Sequence, residues 1–219
     1  MRPLTVEQCE PRRLFAADLL EVGVLYVEQD LGSDREGDTF ELSFQGGAEG
    51  TQLEQLVVDG NQLAPPFGVG DVFFDTLEQG VGADHAFPFT VLELEAEHPQ
   101  ARVIATVADG TTQLVLTFEH FEAGDRLRFA IDVDEVEYWD PTEQDTTLIN
   151  DGLDPVTSGI EFQGSLMTAS FDAPNYRSLE VAAEFRNRYD AALQQTQLSL
   201  PEDDANGQRD RSAVAIGTG

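Results

Sequence analysis

From position 22 to position 171 the apolar residues recur mainly at every second place, and this spacing builds strands rather than amphipathic helices, whose apolar stripe returns every third or fourth residue. Phe40, Leu42 and Phe44 alternate with Glu41 and Ser43, so one face of that strand is expected in a core and the other in water. Val103, Ala105 and Val107 repeat the pattern, as do Leu114, Leu116 and Phe118, and then Leu127, Phe129, Ile131 and Val133. Asp109-Gly110 and Gly124-Asp125 punctuate these three segments, which read as a meander. Further strands are expected over 22–28, 53–58, 159–163 and 166–171, and one over 179–185 leads into the C-terminal segment. Many short strands without long alternating helices predict a mainly β, antiparallel β-sandwich, with jelly-roll and cohesin-like arrangements both open.

Two segments read as helical exceptions, a short turn over 11–20 and a C-terminal helix over 184–195, where Phe185, Tyr189, Ala192 and Leu193 share one helical face. The domain plan is a leader over 1–20, a β-sandwich over 21–200 and a flexible acidic tail or linker over 201–219, where Glu202, Asp203 and Asp204 open a stretch without strand periodicity. At 219 residues the chain is long enough for one sizeable core.

Charge narrows the partners. The 42 acidic residues face 12 basic ones, all arginine, for a formal net charge of -30. A field of this sign repels phosphate backbones and anionic headgroups, so nucleic acid is not an expected partner. Direct membrane insertion is not expected either, because no apolar stretch approaches the roughly 18 residues a spanning helix needs. The single cysteine, Cys9, rules out an internal disulfide. Bound cations commonly serve as cross-links instead, and carboxylates supply the oxygen ligands that hard ions take.

The segment Cys9-Glu10-Pro11-Arg12-Arg13-Leu14-Phe15-Ala16-Ala17-Asp18 resembles the Glu-Pro-Arg-x-Leu-Leu leader of large planctomycete extracellular and cell-surface modular proteins, with Phe15 at the second Leu and Cys9 at the usual Leu before the motif. The acidic run over 22–47 also looks like the first module of such proteins. The resemblance implies a secreted or cell-surface location and a non-catalytic module for adhesion or matrix assembly, with an extracellular protein or glycan as partner.

Calcium is the expected cofactor. Asp132, Asp134 and Glu135 close one strand, and Asp132 and Asp134, two apart, share its outer face, where like charges repel unless neutralised. The long acidic loop that follows adds Asp140, Asp145, Asp151 and Asp154 as candidate ligands. The helix-flanked calcium loop is absent, since a register starting at Asp132 puts Val136 fifth and Glu137 sixth. A solvated acidic face is the plain alternative. A second stretch, Asp71 to Asp75 followed by Asp84 and His85, sets a histidine beside carboxylates, but His85, His98 and His120 have no zinc-site spacing.

No Gly-x-Ser-x-Gly nucleophile elbow, reactive Cys-His pair or phosphate-cradling glycine loop occurs, and Ser-x-x-Lys is impossible without lysine. An enzyme is not expected, and a polysaccharide-active one would rest on carboxylate pairs alone. The alternative binding function is carbohydrate recognition, with Tyr138, Trp139 and Tyr176 as stacking platforms, against the simpler reading that Trp139 plugs one end of the core.

Overall fold

The computed structural model describes residues 19–28, 36–61, 70–80, 82, 85–136, 162–174, 176–187 and 212–219. Its strands, in chain order, are β1 (Leu20–Val27), β2 (Asp38–Gly46), β3 (Gln52–Asp59), β4 (Val72–Asp75), β5 (Thr90–Glu95) and β6 (Arg102–Thr106). They continue as β7 (Gln113–Glu119), β8 (Arg126–Glu135), β9 (Leu166–Ala173), β10 (Tyr176–Glu184), β11 (Arg186–Asn187) and β12 (Ser212–Thr218). One sheet runs β11-β12-β1-β2-β8-β4 with β5 also on β8, and the other runs β10-β9-β3-β7-β6. All pairings are antiparallel, and the two sheets pack as a β-sandwich.

The period-two residues are the ones that fill the space between the sheets. Val22, Val24 and Tyr26 of β1, Phe40, Leu42 and Phe44 of β2, and Leu127, Phe129 and Ile131 of β8 face Leu114 and Leu116 of β7 and Met167, Ala169 and Phe171 of β9. In β3 the inward residues are Leu53, Leu56 and Val58, the first two three apart because a bulge between Leu53 and Gln55 resets the alternation. Phe40 lies parallel to Phe129 at 4.9 Å, and Tyr26 stacks on Phe162 at 4.4 Å, so aromatic surface dominates one end of the core.

Four expectations change, the first being the strand expected over 159–163, whose described residues 162 and 163 lie in a turn. The meander is broken, since β7 belongs to the sheet with β3 and β6 while β8 belongs to the sheet with β2. The connection crosses the sandwich because Phe121 is drawn into the core, and the Asp125 carboxylate holds the turn by accepting from the Glu122 and Glu97 amides. The expected C-terminal helix does not begin at 184: Leu179, Val181 and Phe185 continue the strand alternation, Phe185 packs edge-on against Phe162 at 4.7 Å, and β11 follows directly. Among the described residues there is no helix.

The expected tail ends in a central strand. β12 pairs with β1 along its whole length, from Glu21↔Thr218 to Val27↔Ser212. Its alternation is invisible in the sequence because both faces are apolar: Ala213 and Ala215 enter the main core, while Val214 packs with Leu25 on the opposite side. Gly217 lies so near Val181 of the facing sheet that a Cβ would overlap it, which brings β12 and β10 close.

Candidate metal centre

β4 runs antiparallel to the end of β8 with Phe73 opposite Asp134 and Asp75 opposite Asp132. Cross-strand partners share a face, and alternate residues point to opposite faces. Val72 and Phe74 therefore enter the core with Ile131 and Val133, whereas Phe73, Asp75, Asp132 and Asp134 project from the other side. One carboxylate oxygen from each of Asp75, Asp132 and Asp134 lies within 4.8 Å of the other two.

Water does not reach this face as the alternation alone would suggest. Asp75, Asp132 and Asp134 are 2, 3 and 4% exposed, and Phe73 beside them is wholly buried. The cover comes from the chain after β4. Asp109 accepts from the Thr76 amide at 2.9 Å and the Leu77 amide at 3.0 Å, and Asp75 Oδ1 accepts from the Leu77 amide at 3.3 Å, which folds the segment back. Gly82 then passes over the carboxylates with φ +148°, where a Cβ would collide with Asp75 Oδ2 and stand 2.7 Å from Asp134 Oδ2. Only glycine fits that approach. The chain returns to β8 through the Asp132 amide, which donates to the Phe87 carbonyl at 3.0 Å.

Three carboxylates this close and this dry repel one another, a repulsion that hydrogen-bond donors, a proton or a cation would offset. Their donors are all oxygen, which suits a hard divalent ion and not zinc, which favours nitrogen and sulfur. His85 is not part of the cluster: its Nδ1 lies 3.2 Å from Glu78 Oε1 at the surface. His98 and His120 stack on each other at 4.0 Å, and the Gln100 amide donates to His98 Nδ1, so neither faces the aspartates as a ligand set.

Asp132 and Asp134 thus stand together as their spacing implies. Glu135 does not join them, because the pleat turns it to the face of Val133. Asp140, Asp145, Asp151, Asp154, Tyr138 and Trp139 lie outside the described residues, and Tyr176 opens β10 opposite Ala173. The third aspartate, Asp75, escapes the sequence reading as a partner of Asp132, since only the long-range pairing of β4 with β8 brings them face to face. Its local signal was the alternation Phe73, Asp75 on a short apolar strand. A scan against protein-family models matched none, and searches of curated proteins and of solved structures likewise returned no match.

Proposed function

We propose that the chain is a non-catalytic β-sandwich module of an exported or cell-surface protein, serving adhesion or matrix assembly, with calcium seated between Asp75, Asp132 and Asp134. The observation that carries the metal reading is the burial of three carboxylates within 4.8 Å. Three carboxylates offer up to about six oxygens when bidentate, close to the six to eight that calcium takes. Magnesium keeps several of its waters, and a site 2–4% exposed gives them little room. The ion would tie β4 to β8 and pin the Gly82 segment above them, a cross-link in a chain whose single cysteine cannot form an internal disulfide. The surface role rests on the leader-like segment around Glu10-Pro11-Arg12.

Thermal unfolding in EDTA, calcium or magnesium at constant ionic strength tests the metal reading. A calcium-selective rise in Tm that grows with concentration is expected from binding to the folded state alone. Equal effects of calcium, magnesium and matched sodium chloride would reduce the cluster to a structural feature that binds no ion selectively.

A further inference from the structure

A strand at a sheet border presents unpaired N–H and C=O groups, and proteins usually guard such borders with charges, bulges or brevity. Most borders here carry those guards. β5 has a bulge between Val91 and Glu93 and exposes Glu93 and Glu95; β10 has an irregularity between Tyr176 and Leu179 and carries Glu180 and Glu184; β11 is two residues long. β6 differs. Its register with β7 is unbroken from Arg102↔Glu119 to Thr106↔Val115, it contains no carboxylate and no proline, and among the described residues it pairs only with β7. Its one charge, Arg102, is engaged by Glu119. Ile104, in its middle, is 51% exposed on the outer face.

We propose that β6 is a docking edge that takes an extended, lysine- or arginine-bearing segment of a partner protein as an added strand. Charge selects this occupant. A second copy would bring -30 against -30, with no lysine and few arginines to offset it, whereas a cationic segment is drawn in by the field of the whole chain. Among the described residues the Arg102–Glu119 pair is the one ion pair within this border, so the attraction comes from the chain's net charge rather than from a local acidic rim. Backbone pairing supplies the register, an apolar side chain of the partner covers Ile104, and its alternating cations are held by the negative field of the chain. This names a partner class for the adhesive reading above and relies on it for context. It uses a surface separate from the aspartate cluster, so loss of calcium binding leaves it standing, and its own failure leaves the calcium reading untouched.

The test uses the full chain in millimolar calcium and physiological salt with a seven-residue peptide of alternating Lys and Val, and a control whose central Val is replaced by Pro. Amide exchange resolved by residue is expected to slow about tenfold or more on β6 with the first peptide and not with the control, because proline interrupts strand pairing. Ile104→Ser, a half-exposed position that leaves the core alone, is expected to weaken the peptide several-fold while leaving calcium binding unchanged. Equal binding of the two peptides, or protection away from β6, would reduce the interaction to unspecific charge and overturn the proposal. So would sedimentation showing that β6 pairs with a second copy when no peptide is present.

Discussion

Replacing Asp132 by Asn keeps the shape of the side chain and deletes one of three buried charges, so its advantage without metal should shrink as calcium is added. At 4.8 Å, the outer limit of the oxygen separations, two unit charges at an effective dielectric of about 20 repel by about 3.5 kcal/mol. The three pairs together reach about 10 kcal/mol. Placing a proton on an ordinary aspartate at pH 7 costs about 1.36 × (7 − 3.9), or about 4 kcal/mol, which caps the strain that one of the charges can carry without a metal. Asp132→Asn removes that cost, and in EDTA it should stabilise the fold by up to about 4 kcal/mol, which for a domain of this size corresponds to a ceiling of about 8–16 °C in Tm. Calcium at a hundredfold excess over Kd should add about 2.7 kcal/mol to the wild type and much less to the variant. Calorimetry in EDTA and in a calcium series reads both effects. A variant less stable than wild type in EDTA would refute the reasoning, since it would mean that the Asp132 carboxylate serves as a hydrogen-bond acceptor and not as a charge awaiting a cation.

Gly82→Ala should cost about 1–3 kcal/mol in urea unfolding, because the new methyl meets the Asp75 carboxylate at a φ of +148°, and it should weaken calcium in the same titration. Phe40→Ala removes a wholly buried ring that packs on Phe129, Tyr26 and Phe162, and a loss of about 3–5 kcal/mol is expected from the denaturation midpoint. The Arg102 guanidinium beside Glu119 holds that carboxyl below its usual range. A depressed folded value means stability present above the unfolded carboxylate range, about pH 4.3, and lost as pH falls through the folded value. Glu119→Gln should therefore be slightly less stable than wild type near neutrality, and the two melting curves should merge in acid.

The alternation of residues such as Phe40, Leu42 and Phe44 made β2, and likewise β1, β3, β6, β7, β8 and β9, legible in the sequence, because side-chain direction along a strand is a local property of the backbone. The same rule placed Asp132 and Asp134 on one face before any fold was known. It failed at β12, where both faces are apolar and no polar rhythm remains to be read, and at the helix expected from 184, where the strand spacing of Leu179, Val181 and Ala183 carries on to Phe185. It could not tell that β7 and β8 part company between the sheets, nor that Asp75 faces Asp132. Those are matters of partner choice among strands far apart in the chain, decided by which apolar faces close on one another. Burial of the aspartates belongs to the same class: the alternation set their direction, and only the return of the chain through Gly82 and Phe87 took them out of water.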